Sequence, residues 1–188
     1  MSLPFGDHLA EHQALFAHLD ALAPDVQRAA ECISDALRGG GKVMFCGNGG
    51  SAADSQHLAS EFTGRFVDDR RPLAALALST DSSALTCIAN DYAFDQVFER
   101  QLRGLGRHGD VLVAISTSGR SANVQRAAVA ARELGIVVIG LLGRDGGSIK
   151  ALSDVAIVVP SQTTARIQEA HIFIGHTLCA LVEAGLGV

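Results

Sequence analysis

The chain of 188 residues has the length of one domain with its own hydrophobic core, and its composition excludes several classes of protein. Hydrophobic residues make up 48% and charged residues 19%, which excludes a disordered chain. The net charge of −5, with no basic arm, disfavours extended binding to nucleic acid.

The sequence also lacks the usual marks of secretion and of membrane insertion. Its first residues have neither the basic flank nor the continuous apolar core of a signal peptide, and no window approaches about 18 apolar residues in a row. Cys32, Cys46, Cys87 and Cys179 lie in apolar segments without metal-type spacing, so we expect buried free thiols. These features predict a cytoplasmic protein that does not bind a membrane.

The N-terminal part has a helical pattern. Apolar residues recur at helical intervals from about residue 7 to residue 37, and Pro24 interrupts them. This pattern predicts two helices joined at residues 23–24. Because the pair precedes the first strand and has apolar residues to spare, we expect residues 1–38 to contact another subunit. A helical cap on a single domain would give the same pattern.

Five apolar runs without polar alternation are typical of strands buried on both faces of a parallel sheet. They cover residues 43–46, 73–78, 110–115, 136–142 and 155–159, and helical patterns separate them. Three of those patterns cover residues 95–107, 122–134 and 164–186. The alternation predicts one α/β domain over residues 1–188, a three-layer sandwich with a five-stranded parallel sheet and helices on both faces.

A glycine-rich turn follows the first predicted strand. This glycine loop, residues 47–51, reads Gly47-Asn48-Gly49-Gly50-Ser51. Its flexible backbone can direct N–H groups at an anion where the next helix begins. The loop lacks the spacing of a dinucleotide fingerprint, and glycines there could serve only the close packing of a strand and a helix.

A serine-rich segment follows the third predicted strand. This serine loop, residues 116–121, reads Ser116-Thr117-Ser118-Gly119-Arg120-Ser121 and carries four hydroxyl groups. Hydroxyls, backbone N–H groups and the positive end of a helix together suit a phosphate group, although one or two hydroxyls could simply cap the helix. The segment is not a P-loop. Because ligands bind at the carboxyl ends of parallel strands, we expect both loops to share one crevice.

His57 and Glu61 form the first candidate for chemistry. They are four residues apart on the helix after the glycine loop, so both side chains lie on one face and could share a metal ion or a substrate proton. A pair with this spacing is also common on an ordinary solvated face.

The terminal helix supplies further polar side chains. Gln168 and His176 are eight residues apart, an axial rise of about 12 Å, so sharing one ion would require both side chains to lean toward each other. His171 lies on a different face and is expected to be structural. Arg166 and Glu169 could form a simple surface pair.

The chain resembles the sedoheptulose 7-phosphate isomerases, also called phosphoheptose isomerases, of the sugar isomerase (SIS) fold. The resemblance runs in order from about residue 40 to the last residue and depends on four segments: CGNGGSAADSQHLASEFTGRF, IANDYAF, ISTSGRSANV and ARIQEAHIFIGH. It implies a cytoplasmic homotetramer with one zinc ion per subunit. Such enzymes convert sedoheptulose 7-phosphate to D-glycero-D-manno-heptose 7-phosphate, the first step of bacterial heptose synthesis for lipopolysaccharide.

The resemblance also implies roles for individual residues. The zinc ligands are His57, Glu61, Gln168 and His176. The substrate contacts are Asn48, Gly49, Gly50, Ser51, Glu61, Asn90, Asp91, Ser116, Thr117, Ser118, Ser121 and Gln168. The chain departs from the family at Ala165, where some members have aspartate, so one candidate polar contact to the substrate is lost while the metal set is unaffected.

The expected chemistry agrees with these residues. Moving a carbonyl between C2 of a ketose and C1 of an aldose requires a base, stabilisation of an enediolate and an acid. Glu61 is the candidate base, His176 is the candidate acid and proton shuttle, and zinc would polarise the oxygens. Because a carboxylate bound tightly to Zn²⁺ is a poorer base, either Glu61 leaves the ion during turnover or a water molecule intervenes.

Two other functions stay open at this point. Non-catalytic tetramers of the same fold, which resemble the initiator-associating protein of bacterial replication, keep both loops but lack the acidic residue and the histidine at the positions of Glu61 and His176. The retention of both residues here favours an enzyme. Isomerisation of another sugar phosphate is also compatible with the motifs, because the dimensions of the pocket select the length of the sugar.

Overall fold

The computed structural model describes residues 4–188, so residues 1–3 of the expected N-terminal segment lie outside the described residues. Five strands form one sheet: β1 (Val43–Cys46), β2 (Ala75–Ala77), β3 (Val111–Ser116), β4 (Val137–Gly143) and β5 (Val155–Val159). They follow the order β2-β1-β3-β4-β5, and every neighbouring pair is parallel. The five-stranded parallel sheet predicted from the apolar runs is confirmed.

Helices occupy most of the remaining chain. They are α1 (Pro4–Phe16), α2 (Ala23–Arg38), α3 (Gly50–Thr63), α4 (Ser82–Asp91), α5 (Val97–Leu105), α6 (Ala122–Glu133), α7 (Gly147–Lys150) and α8 (Thr164–Leu186), with short 3₁₀ turns at Leu19–Leu22 and Phe94–Gln96. The break that the sequence predicts at residues 23–24 lies a few residues earlier, at residues 17–22. Pro24 is in the first turn of α2, where proline is tolerated. Among the described helices, none combines the length and the apolar character needed to cross a lipid bilayer.

Two hydrophobic cores lie on opposite faces of the sheet. Successive strand residues point to opposite faces, so Phe45 and Val113 join one core while Met44 and Leu112 join the other. Side chains from α2, α3 and α8 fill the first core, and side chains from α5 and α6 fill the second. Covering both faces of a parallel sheet in this way produces the three layers that the sequence predicts.

The second strand is shorter than predicted. The apolar run covers residues 73–78, but β2 includes only Ala75–Ala77. The backbone N–H of Leu73 donates to the carbonyl of Phe62 at the end of α3 and not to a neighbouring strand. Because β2 lies at the edge of the sheet and pairs only with β1, its ends have few partners to extend it.

The expectation that all four cysteines are buried is wrong for two of them. Cys46 and Cys179 are buried, whereas Cys32 is half-buried and Cys87 is exposed. Cys87 is on α4, a helix in which no residue is fully buried, so the apolar residues of α4 do not cover Cys87 from solvent. All four thiols are free, as predicted.

Helices α3 and α8 lie side by side in the first layer and run in the same direction. Gly50, the first residue of α3, lies against Gln168 in the second turn of α8, and further along Gly175 lies against Leu58. A Cβ atom added at Gly175 would be 2.6 Å from Leu58 Cδ2, so the absence of a side chain allows this close approach. The contact sets His57 and His176, the neighbours of these two residues, opposite each other.

Gly175→Ala should therefore destabilise the protein, although alanine is the better helix former. Overpacking costs about 1–3 kcal/mol, which outweighs a propensity gain of about 0.5–1 kcal/mol. Gly104→Ala is a matched control, because Gly104 is on α5 with no atom within 4 Å of an added Cβ, and it should stabilise by up to about 1 kcal/mol. Urea unfolding measures the free energy of unfolding of both variants. An equal increase in that free energy in the two variants would contradict the close packing of α3 and α8.

Candidate active site

Three of the predicted metal ligands meet across α3 and α8. The Nε2 atoms of His57 and His176 are 2.9 Å apart, although the residues are 119 positions apart in the sequence. Glu61 Oε1 lies 3.3 Å from His57 Nε2, and one ligand atom from each residue lies within 4.8 Å of the others. We call His57, Glu61 and His176 the metal cluster.

Asp54 lies beside the metal cluster and was not predicted from the sequence. It shares a face of α3 with His57 and Glu61, three and seven residues later, and this spacing is the signal that could have identified it. Its Oδ2 atom is buried without a hydrogen-bond partner. Burial raises the pKa of the Asp54 carboxyl, whereas the proximity of His57 and His176 lowers that pKa.

The donor set fits a zinc ion. Two imidazole nitrogens with a carboxylate oxygen are a common ligand set of catalytic zinc sites, which keep a further position for water or substrate. The orphaned Asp54 Oδ2 adds a negative group that a nearby cation would compensate.

Gln168, the fourth predicted ligand, packs against the glycine loop. It is half-buried in the second turn of α8, and a Cβ atom added at Gly50 would be 2.4 Å from its Nε2. Gln168 and His176 thus lie at different heights along α8, as their spacing predicts. The close approach gives a packing reason for glycine at position 50.

The glycine and serine loops share one end of the sheet. Strands β1 and β3 are neighbours, and the helices that follow them, α3 and α6, cover opposite faces. This arrangement is a topological switch point, where open parallel sheets bind ligands. The amides of Asn48 and Asn123 form two hydrogen bonds of 2.8 Å, which place the glycine loop beside the first turn of α6, directly after the serine loop.

The exposure to solvent varies along the glycine loop. Gly49 and Gly50 are exposed, Asn48 is half-buried, and Ser51 is buried at the start of α3. Gly49 has a φ of 58°, a conformation that favours glycine. An added Cβ at Gly47 would be 2.7 Å from the Cβ of Ser51, so strand and helix approach closely here.

The hydroxyls of the serine loop do not act as simple helix caps. Ser121 is the N-cap residue of α6, but its side chain makes no capping hydrogen bond. Its Oγ lies 3.0 Å from Ser116 Oγ, which also accepts a hydrogen bond from the N–H of Gly119. Thr117 and Ser118 are half-buried beside them. The capping alternative for Ser121 is therefore wrong.

Arg120 fastens the serine loop to the segment after β4. Its guanidinium donates two hydrogen bonds, of 2.8 and 2.6 Å, to the carboxylate of Asp145. This pairing, with a further hydrogen bond from the N–H of Gly147, holds the pKa of Asp145 well below its usual value. An added Cβ at Gly119 would overlap the carbonyl oxygen of Gly146, so the two backbones are in close contact.

Asn90 and Asp91 stay apart from these groups. Both are exposed at the end of α4, and Asn90 Nδ2 donates to Asp91 Oδ1 over 2.8 Å. Within residues 4–188, no hydrogen bond or ion pair joins either residue to the loops or to the metal cluster. Ala165, the departure from the family pattern, is exposed in the first turn of α8.

A buried ion pair holds α3 and α8 together below the metal cluster. Arg70 Nε donates to Glu183 Oε1 over 2.6 Å, and the two side chains are 3% and 10% exposed. Arg70 also donates to the carbonyls of Glu61 and Phe62 in the last turn of α3. Glu183 lies two turns after His176 on α8, so the pair fixes Glu61 relative to His176.

The remaining polar residues of α8 are structural. His171 is buried, its Nε2 lies 2.9 Å from the carbonyl oxygen of Leu142, and burial lowers the pKa of its imidazole to about 4. The expected pair of Arg166 and Glu169 forms, but it is not a simple surface pair. Arg166 is buried and binds both Glu169 and the carbonyl of His8, which fastens α1 onto α8.

Comparison with known proteins identifies the family. A model of the SIS domain matches residues 7–143. A phosphoheptose isomerase from Rhodospirillum rubrum is 55% identical over 171 residues, which cover 91% of each chain. The chain belongs to the phosphoheptose isomerase family. The resemblance inferred from the four sequence segments is confirmed.

Solved structures agree with this family. The structure of a phosphoheptose isomerase from Neisseria gonorrhoeae is 49% identical, covers 96% of this chain and 97% of its own, and has a TM-score of 0.91. The structure of a phosphoheptose isomerase from Francisella tularensis is 35% identical, covers 96% of each chain and has a TM-score of 0.93. Both structural similarities extend over nearly the whole described chain.

Proposed function

We propose that this protein is an aldose-ketose isomerase that converts sedoheptulose 7-phosphate to D-glycero-D-manno-heptose 7-phosphate. The proposal is supported above all by the convergence of His57 and Glu61 on α3 with His176 on α8, in a chain of the phosphoheptose isomerase family. This reaction is the first step of bacterial heptose synthesis for lipopolysaccharide.

The serine loop binds the phosphate group. At the start of α6, the N–H of Val124 donates to Asn123 Oδ1 and the N–H of Gln125 donates to the carbonyl of Ser121, which leaves the N–H groups of Ala122 and Asn123 for an anion. The positive end of the helix favours that anion. Ser121 Oγ is free of capping and bonds only to Ser116 Oγ, so a phosphate oxygen can replace that partner. Thr117 and Ser118 provide the other two hydroxyls of the site.

The glycine loop binds the sugar hydroxyls. Gly49 and Gly50 are exposed toward the crevice, and Asn48, Ser51 and Gln168 surround them. The absence of side chains at both glycines allows the sugar to approach the backbone closely. In this arrangement C1 and C2 of the sugar point to Glu61 and His176.

The metal cluster, with Gln168 as the fourth ligand, holds Zn²⁺. A bound zinc ion supplies a Lewis acid that polarises the carbonyl and hydroxyl oxygens of the substrate. This proposal is supported by the fit of the donor set and by the buried oxygen of Asp54, which a cation would compensate.

Glu61 and His176 move the protons. The Glu61 carboxylate takes a proton from C1, and the electrons of the broken C–H bond form the double bond of an enediolate. His176 carries a proton from the oxygen on C1 to the oxygen on C2. Glu61 then returns its proton to C2, which leaves the carbonyl at C1. The substrate gains and loses no atoms or electrons overall.

We also propose that residues 1–188 form one SIS domain that assembles into a cytoplasmic homotetramer, with residues 1–38 in the subunit interface. Phe5 on α1 is 76% exposed and Phe173 on α8 is 49% exposed, which is unfavourable for an isolated chain. Phe173 also lines an apolar groove of about 460 Å³ between the first turns of α2 and the middle of α8. Asn90 and Asp91 would require a closure movement or a second subunit to reach the substrate. The free thiols support a reducing compartment.

The direct test supplies zinc and sedoheptulose 7-phosphate to the full chain and follows the product by NMR. We expect formation of the aldose and, in D₂O, incorporation of deuterium at C2 because the transferred proton exchanges with solvent on the base. Removal of zinc with a chelator should abolish turnover, and zinc should restore it. An inactive wild-type protein with zinc bound would refute the assignment, and faster conversion of a shorter ketose phosphate would change the substrate.

Glu61→Gln should lower kcat by about 10²–10⁴-fold, because the amide cannot accept the proton. The assay is performed at saturating zinc, with bound zinc measured for each variant, so that loss of the ion is separated from loss of the base. Glu133→Gln is the matched control at the exposed end of α6, outside residues 1–38, and should leave turnover unchanged. Wild-type kcat in a zinc-loaded Glu61→Gln variant would exclude Glu61 as the base.

The assembly is tested by the mass of the full chain in solution. We expect four subunits by light scattering. A charge in the apolar groove, introduced as Phe173→Glu, should shift the protein to smaller species because an unpaired charge is costly in an interface. A wild-type monomer would contradict the tetramer.

A further inference from the structure

Asn123 is a buried polar residue of the ISTSGRSANV segment to which the sequence assigned no role. Its side chain is 3% exposed although it follows the serine loop in the first turn of α6. Its Nδ2 donates to Asn48 Oδ1, and Asn48 Nδ2 donates to Asn123 Oδ1, each over 2.8 Å. The two residues are 75 positions apart, so this reciprocal pair is a tertiary link between the two loops.

The backbone fixes the orientation of the Asn123 amide. The N–H of Val124 donates to Asn123 Oδ1 over 3.0 Å, so this oxygen accepts two hydrogen bonds and both of its lone pairs are used. The amide nitrogen must then face Asn48 Oδ1. Since one end of the pair is set by the start of α6, the orientation of the Asn48 amide is set as well.

Asn48 keeps hydrogen-bonding capacity for a ligand. A primary amide has two N–H donors and two acceptor lone pairs, and the pair with Asn123 uses one of each. Asn48 is half-buried in the glycine loop, between β1 and α3, so its second N–H and its second lone pair can face the crevice.

We propose that Asn123 is a positioning residue that orients the amide of Asn48 toward the sugar and fixes the glycine loop relative to the serine loop. The inference rests on the proposed function, in which Asn48 contacts the sugar and the serine loop holds the phosphate. Two loops that bind opposite ends of one substrate must keep a constant separation. A misplacement of about 1 Å can reduce the rate by about 10²-fold.

A double-mutant cycle tests this role. Asn123→Ala should lower kcat/KM for sedoheptulose 7-phosphate by about 10–100-fold, because the amide of Asn48 loses its orientation. In the Asn48→Ala background, Asn123→Ala should lower kcat/KM by less than about 3-fold, since the amide that Asn123 orients is already absent. Gln125→Ala, which truncates an amide two residues later on α6, is the control and should change kcat/KM by less than about 2-fold. Equal losses in both backgrounds would overturn the proposal.

A second measurement does not depend on turnover. The side-chain NH₂ signal of Asn48, assigned by its loss in Asn48→Ala, should show one proton protected from hydrogen exchange in the wild type. Asn123→Ala should remove that protection. Asn123→Asp keeps the shape and both acceptor contacts but cannot donate to Asn48 Oδ1, so it should shift the signal while the chain stays folded. An Asn48 signal unchanged by both variants would overturn the proposal even if the enzyme acts on another sugar.

Discussion

The candidate site depends on the parallel packing of α3 against α8 on one face of the sheet. Gly175 lets α8 approach Leu58 closely, and the buried pair of Arg70 and Glu183 joins the same helices further along. These contacts bring His176 within hydrogen-bond distance of His57, 119 residues earlier in the chain. Breaking a buried ion pair by removing one partner costs about 3–5 kcal/mol, so the distance between the helices is strongly constrained. The distance between His57 and His176 in the metal cluster is therefore constrained as well.

The parallel sheet imposes the second constraint. Because β1 and β3 are neighbours whose following helices cover opposite faces, their loops must meet at the switch point. The two hydrogen bonds between Asn48 and Asn123 then fix the glycine loop relative to the start of α6. The helix that begins in the glycine loop carries His57 and Glu61, and α8 carries His176. The sheet therefore positions the proposed phosphate site, and the α3–α8 contact positions the metal cluster.

Local sequence patterns predicted the elements well, because apolar runs and helical spacing are local properties. They also placed His57 and Glu61 on one face. They could not reveal Asn123, whose role depends on a contact 75 residues away, or show that Arg166 is buried beneath α1. Cys87 was misjudged because an apolar neighbourhood in sequence does not ensure a covering layer. The association of His176 with His57 came from family resemblance, since spacing along α8 alone left the sharing of an ion undecided.

The two ends of the crevice use different kinds of charge. Arg120, the one cationic residue of the serine loop, is neutralised by its ion pair with Asp145. In the proposed function, hydroxyl dipoles and the N–H groups at the start of α6 recognise the phosphate, and they need no reorganisation when the anion binds. Formal charge is concentrated instead at the metal cluster and Asp54, where the proposed reaction develops negative charge on oxygen. Binding energy from the remote phosphate can thus orient the sugar without perturbing the groups that transfer its protons.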